Sequence, residues 1–384
     1  MERKLNILTV VPAMNAGGVE MGVLELAKLI GTSKDFNLFI LTSGGKLLSQ
    51  INYDNVKVII LNVKSKNPFV ILKNQSKIRK ILIDNKIDIV QLESRVPAWN
   101  CVNICKKLNI PTISIIHGNY SIGNGIVKIF KLFYNSIMMK CNKIVAVSNY
   151  TKQYCLSNYN LKDSDVDVIY RGIDTENIFN PDIITEESVE NLKKNLDLED
   201  SKKIIIYPAR LSKQKGQDYL IKSLSMLKNR DFLCLLVGND DKHKEYRQNL
   251  IDLIKGYNLQ NNVKFVKNIN NIEVLYKICD VVVSSAILPE TFGRVSIEAQ
   301  AMKKIFVGTN LGGTLETIID KKTGFLAPYN DNEKFAETIE NALHLDDDER
   351  LKIVEEARKH IVNNFTISIF YEKMKKLYFN LTSK

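Results

Sequence analysis

The stretch "DVVVSSAILPETFGRVSIEAQAM", residues 280–302, decides how the chain is to be read. Val281 to Val283 form a β-branched run without polar alternation, as in a strand buried on both faces of a parallel sheet. Pro289 and Gly293 punctuate a loop, and a helical pattern starts near Gly293. Strand, loop and helix in that order make one α/β unit, and such folds hold ligands beyond the C-terminal ends of their strands. Glu290 then falls in the loop and Glu298 on the second helical turn, past the amides of Arg294, Val295 and Ser296. Free N–H groups at a helix start suit phosphate. A carboxylate further into the helix can accept two hydrogen bonds from a vicinal diol such as a ribose, and one in the loop can accept sugar hydroxyls. The spacing suits a nucleotide-sugar. The competing reading is a capping Glu290 and a solvated Glu298, the usual state of helical glutamates.

The same unit recurs in both directions along the chain. Short apolar runs predict strands at 5–11, 37–42, 56–61, 87–92, 111–116, 143–147 and 166–170. Helical patterns lie near 18–30, 68–84, 97–108, 123–140 and 149–157. Residues 172–201 read as a polar, irregular section containing Pro181. Strands then resume at 203–208, 231–237, 262–266, 280–284 and 304–308. Helices follow near 216–229, 242–256, 271–278, 293–302, 313–319, 332–344 and 347–362, with a last one near 366–381. This alternation predicts two doubly wound α/β domains, with a cleft between them as the default active site.

Length agrees, since 384 residues exceed one typical core. With 45% hydrophobic and 25% charged residues the composition is that of an ordinary globular protein. The formal charge of +11 admits nucleic acid, an anionic membrane surface or phosphorylated ligands as partners. The six cysteines (Cys101, Cys105, Cys141, Cys155, Cys234 and Cys279) form no C-x-x-C pair and read as free thiols in a reducing compartment. The first apolar run reads as a strand, not a signal peptide, and no apolar stretch reaches the roughly 18 residues of a membrane span. A cytoplasmic protein is expected.

Other strand ends carry candidate groups. In "YPARLSKQKGQDYL" (207–220), Arg210 and Lys215 precede a helix and suit a diphosphate, Arg as a fork and Lys as a point charge. Gly17 and Gly18 follow the first strand, where glycine lets a ligand approach the backbone. Neither G-x-G-x-x-G nor G-x-x-x-x-G-K-[ST] occurs, which counts against a dinucleotide dehydrogenase and a P-loop ATPase. His117 ends a strand in "SIIHGNY". Arg95 and Trp99 lie at another strand end, Arg95 placed for an anionic group on an acceptor and Trp99 for the core. "DSDVD" (163–167) lacks the glycine of a calcium loop and reads as a solvated turn. "DDDER" (346–350) reads as an acidic helix start. No metal site is expected.

These residues together resemble a known family. "PETFGRVSIEAQAM" is similar to the E-x7-E motif, and "ARLSKQKG" to the R-x4-K-G loop, of retaining family 4 glycosyltransferases with the GT-B fold. The glycines after strand one, "HGNY", "VSNY" and "YRGID" fit the same pattern in the same order. The resemblance implies an N-terminal, acceptor-side Rossmann-like domain over 1–175 and a nucleotide-sugar-binding one over 176–365, the segment 366–384 packing back on the first. It implies that Glu298 binds the ribose and Glu290 the donor sugar. Phe292, Gly293, Val295 and Ser296 would meet sugar and phosphate through their amides. Arg210 and Lys215 would stabilise the diphosphate, Gly18 would approach phosphate or acceptor, and His117 would lie near the reacting sugar. Arg95, Asn119 and Tyr120 are the acceptor candidates. Asn268 stands where the family often has glycine, in the region that reads the base. The expected co-substrate is a UDP- or GDP-sugar, with no metal or other cofactor, in synthesis of lipopolysaccharide or another envelope glycan.

Two other functions compete: a nucleotide-sugar epimerase or hydrolase of the same fold, and a non-catalytic basic binding module. The module would need clustered basic residues and aromatic platforms, whereas the basic residues read as spread along the chain. Residues 67–86 and 125–143 interleave Lys with large apolar residues. Each reads as an ordinary helix burying one face, or as a face lying on anionic lipid.

Overall fold

The computed structural model describes residues 3–15, 17–120, 124–198, 202–239, 244–267, 269 and 271–383. It divides into two compact units, Met1–Arg171 with Ile367–Lys384, and Gly172–Thr366.

The first unit alternates β1 (Leu5–Val10), α1 (Gly18–Gly31), β2 (Phe36–Thr42), β3 (Val56–Ile60), α2 (Pro68–Asp84), β4 (Ile89–Leu92), α3 (Arg95–Lys107), β5 (Thr112–Ile116), α4 (Gly125–Ser136), β6 (Lys143–Ala146), α5 (Asn149–Asn158) and β7 (Val166–Val168). The strands form a parallel sheet in the order β3-β2-β1-β4-β5-β6-β7. Strands β4 and β5 are buried at every position, which is why their sequences show no alternation. Right-handed crossovers place α1 on one face of the sheet and α2, α3 and α4 on the other. The order reverses between β1 and β4, so the ends of those strands flank the switch point.

The second unit holds α6 (Glu186–Asn195), β8 (Lys203–Pro208), α7 (Gln217–Leu224), β9 (Phe232–Val237), α8 (Lys244–Gly256), β10 (Val263–Val266), α9 (Ile272–Ile278), β11 (Val281–Ser284), α10 (Arg294–Ala301), β12 (Ile305–Thr309), α11 (Thr314–Thr317), β13 (Phe325–Ala327), α12 (Asn332–Leu343) and α13 (Asp347–Asn364). Its parallel sheet runs β10-β9-β8-β11-β12-β13, with Val281 opposite Ile205 and Val282 opposite Ile206 at the switch. Tyr207, Phe232, Leu236, Leu250, Phe335 and Ile339 anchor its core. Burial of each such side chain contributes about 1.5–3 kcal/mol.

Helix α14 (Ile367–Thr382) belongs to the first unit. Tyr378 is fully buried, with its ring edge-on to Phe36 at 5.6 Å and its hydroxyl donating to Gln91 Oε1 at 2.5 Å.

Two elements depart from the sequence reading. Helix α6 lies inside the section read as irregular. Thr185 caps it by accepting from Ser188 N–H, and Glu186, Glu187, Lys193 and Lys194 complement its dipole. Val189 is its single buried residue, so the apolar periodicity was too thin to see. Strand β13 has three residues, too few for a pattern. The acidic start at 346–350 is as expected: Asp346 accepts from Glu349 N–H and opens α13.

Candidate active site

The second sheet's switch point sets β8 beside β11, so the loops after them, 209–216 and 285–293, become neighbours. Gly216 has φ 67°, and a Cβ there would fall 2.2 Å from the Ser285 carbonyl oxygen. Only glycine permits both that conformation and that approach. Ser285 Oγ donates to the Gly216 carbonyl at 2.8 Å, and Tyr207 OH to the Lys215 carbonyl at 2.5 Å. With its backbone held this way, Lys215 reaches across: Nζ lies 2.6 Å from Glu290 Oε1. On the far side, Gly313 N–H donates to the Glu290 carbonyl at 2.7 Å. A Cβ on Gly313 would meet the Thr291 carbonyl at 2.5 Å.

Glu298 is only 9% exposed, so it is not the solvated helical glutamate of the competing reading. Its Oε2 accepts from Tyr276 OH at 2.9 Å and its Oε1 from Arg294 Nε at 2.7 Å. Burial, then the charge of Glu298, raise the Tyr276 phenol well above its ordinary pKa, so it stays a donor. Those two bonds leave acceptor capacity on the carboxylate for a further pair of donors. Phe292 is buried with its ring 5.9 Å from Phe365.

The amides between the glutamates are not all open. Ser296 N–H donates to the Gly293 carbonyl at 3.1 Å, and Ser296 Oγ to the same oxygen at 2.6 Å. The amides of Gly293 and Val295 make no hydrogen bond among the described residues. Arg210 belongs to the same loop as Lys215. Its side chain is exposed and lines a cavity with Lys213, Gln214, Lys244 and Tyr246, whereas Lys215 turns to Glu290. Asn268 lies outside the described residues.

In the first unit, His117 follows β5 and is held from both sides. Arg171 Nη2 donates to His117 Nδ1 at 3.1 Å, and His117 Nε2 lies 2.6 Å from Glu93 Oε2. A guanidinium can only donate and a carboxylate accepts, so the ring is neutral with its proton on Nε2. Burial first, then the charge of Arg171, lower the pKa of His117, while Glu93 opposes them. Gln91 Nε2 donates to Glu93 Oε1 at 2.5 Å, and Arg171 Nη1 donates to the Gly18 carbonyl. A continuous hydrogen-bonded path therefore runs from Tyr378 through Gln91, Glu93, His117 and Arg171 to Gly18. Glu93 and Arg171 escaped the sequence reading, although "QLES" and "YRGID" both end strands. An acid 3% exposed at a strand end is a signal only once burial is known.

Two of the three acceptor candidates, Arg95 and Tyr120, are engaged internally. The Arg95 guanidinium lies 4.1 Å from the Tyr120 ring centroid, and its Nη1 donates to Asn135 Oδ1 at 2.9 Å. Asn119 Oδ1 is buried with no hydrogen-bond partner among the described residues. Trp99 donates from Nε1 to the Tyr134 carbonyl at 3.0 Å and stacks on that ring. Five of the six free thiols are buried and Cys141 is half-buried.

Comparison with known proteins identifies the family. The profile described as "Glycosyl transferases group 1" matches residues 188–360, and "Glycosyltransferase Family 4" matches residues 16–177. A solved glycosyltransferase from Rickettsia africae is 38% identical, covers 99% of both chains and superposes with a TM-score of 0.89. The chain belongs to the family 4, group 1 glycosyltransferases. A glycosyltransferase of Methanocaldococcus jannaschii is 28% identical over 64% of this chain and 63% of its own length. The capsular polysaccharide biosynthesis glycosyltransferase CapM of Staphylococcus aureus is 25% identical over 90% of each chain. Anabaena HepE, solved with UDP and glucose, shares the fold at a TM-score of 0.83 and 19% identity, covering 97% of this chain and 99% of its own. This glycosyltransferase has the GT-B fold. Among the described residues no helix is long and apolar enough to cross a membrane.

Proposed function

We propose that this glycosyltransferase moves a sugar from a UDP- or GDP-sugar to an acceptor hydroxyl with retention of anomeric configuration, without a metal, in synthesis of a cell-envelope glycan. The observation that carries the donor reading is one loop–helix segment with Glu290 held by Lys215 at one end and buried Glu298 at the other. Glu298 takes the ribose diol on its remaining lone pairs. The amides of Gly293 and Val295 meet phosphate at the start of α10, and Glu290 takes hydroxyls of the donor sugar. The UDP in the Anabaena structure supports a uridine or related nucleotide. The capsular role of the Staphylococcus relative supports an envelope product.

As the C1–O bond of the donor loosens, charge builds on the leaving diphosphate. Lys215, Arg210 and the α10 start are assigned to that charge, where each donor of this kind supplies about 2.7–4 kcal/mol. The acceptor hydroxyl attacks from the face the diphosphate leaves and passes its proton to a phosphate oxygen. His117 is assigned a place near the reacting sugar, with Gly18 toward phosphate or acceptor. The acceptor is a lipid-linked saccharide, and the protein works peripherally on the inner face of the plasma membrane.

The test is incubation with UDP- and GDP-sugars and an envelope lipid extract, followed by NMR of the product's anomeric proton. The expected product carries the configuration of the donor. An inverted linkage, or isomerised donor without transfer, overturns the proposal.

A further inference from the structure

Within residues 125–143, helix α4 does not behave as a helix burying one apolar face. Every residue of α4 from Gly125 to Phe130 is exposed, with Ile126 at 70%, Ile129 at 68% and Phe130 at 68%. Asn135 is the one buried residue of the helix. Helix α2 buries Ile78 and Leu82, yet Phe69 and Leu72 in its first turns stay exposed. Large apolar side chains gathered on a surface mark an interaction site.

The charge along the sequence of these segments is one-sided. No Asp or Glu occurs from Ser94 to Lys162, against nine Lys and Arg, and none from Asn55 to Ile83, against seven. These two segments exceed the +11 of the whole chain, so the remainder is net acidic. Net positive charge is therefore concentrated in these segments through their lack of acids, while the basic residues themselves remain spread along the chain.

Topology sets both apolar groups at one edge. The chain enters α2 from β3 and α4 from β5, so both helices begin at the C-terminal edge of the parallel sheet, the edge that carries His117. They share a face and flank α3. Asn74 of α2 donates to Asn100 Oδ1 of α3 at 2.9 Å, and Trp99 of α3 donates to the Tyr134 carbonyl of α4 at 3.0 Å.

We propose that this edge docks on an anionic lipid surface. Ile126, Ile129 and Phe130 enter the acyl boundary while Lys128 and Lys131 meet the headgroups. The proposal rests on the reading that the acceptor is lipid-linked, and it presents the His117 edge to that acceptor. A second copy of the chain fits worse, because paired α4 helices would bring lysines together with no acid on either helix. Nucleic acid would use the lysines but leave the exposed Ile and Val side chains without a role.

The test is sedimentation of the full chain with vesicles of phosphatidylcholine alone or with phosphatidylglycerol, at low and high salt. Trp99, whose ring lies 5.9 Å from that of Phe133, gives a fluorescence readout of the same event. The expected result is binding to the anionic vesicles that weakens with salt. The double variant Ile129→Ser/Phe130→Ser should lose about tenfold or more in vesicle partition. Leu351→Ser, at another exposed apolar residue on α13, should leave partition unchanged. Both replaced residues on α4 are exposed, so melting temperature and any thermal shift with UDP or GDP should stay as in the wild type. No binding to anionic vesicles, equal binding by the double variant, loss of a dimer in that variant by light scattering, or binding to an oligonucleotide in place of vesicles would each overturn the docking. Failed docking with the nucleotide shift intact leaves the glycosyltransferase reading standing. Docking with no nucleotide shift removes the donor reading instead.

Discussion

Replacing Glu93 by Gln keeps the side chain's size and removes its charge and one acceptor. Glu93 receives two donors, Gln91 Nε2 at 2.5 Å and His117 Nε2 at 2.6 Å, and is 3% exposed. A glutamine there can accept from one of them and must point its NH2 at the other. Tautomer exchange gives no relief, because Arg171 Nη2 donates to the other ring nitrogen of His117 at 3.1 Å. One charge-assisted bond is lost and a buried donor is left facing a donor, a cost of about 2–4 kcal/mol. The imidazole then turns, and a displacement near 1 Å at a reacting group can cost about 10²-fold in rate. The expected kcat is lower by about 10–100-fold with the donor KM little changed, and Glu93→Asp falls between. Urea unfolding reports the stability term, and nucleotide release reports the kinetic one. The pH dependence follows from the direction of the His117 shift. Its folded pKa is below its unfolded value of about 6.5, so its stabilisation is full above about pH 6.5 and is lost as pH falls toward the folded pKa. Glu93 raises that folded pKa, so the variant loses stability over a wider span below about pH 6.5 than the wild type. An unchanged urea midpoint together with unchanged kcat would refute the reasoning.

Lys215→Ala should lower kcat by about 10²–10³ in single-turnover assays if Lys215 stabilises the leaving diphosphate; a loss under about threefold would remove it from that role. Gly313→Ala drives a Cβ onto the Thr291 carbonyl, so the melting temperature should fall and nucleotide shifts should vanish, the overpacking costing about 1–3 kcal/mol. Arg95→Ala should destabilise the first unit by about 1–2 kcal/mol through the lost contact with Tyr120. An effect of that variant on acceptor KM alone, with stability intact, would instead favour the acceptor role.

The two-sheet fold was legible because its central strands are buried on both faces, which writes Val281–Val283 or Ile204–Ile206 as unbroken apolar runs. The loops around Glu290 and Lys215 were legible because each lies at a strand end next to a glycine. Pairings across the sequence were not. Glu93 meets His117 through adjacent strands, and Tyr276 meets Glu298 from the helix before β11. Neither partner shares a local period with the other. Helix α6 was hidden because Val189 alone is buried, leaving charge order as its only trace. Helix α4 has the composition of an ordinary amphipathic helix, and only its exposure separates it from one. Arg210 and Lys215 share one loop, but that Lys215 pairs with Glu290 while Arg210 stays exposed could not be read from their positions.

Calorimetric titration of UDP and GDP into the wild type and into Glu298→Gln tests the donor site most directly. The glutamine keeps a group for Tyr276 and Arg294 while removing the charge offered to the ribose. The expected result is that one of the two nucleotides binds the wild type and that its affinity falls about 10–100-fold in the variant, the loss of one to two charge-assisted bonds. Equal affinity in both proteins, or no binding of either nucleotide to the wild type, would contradict the assignment of Glu298 and of the segment between it and Glu290.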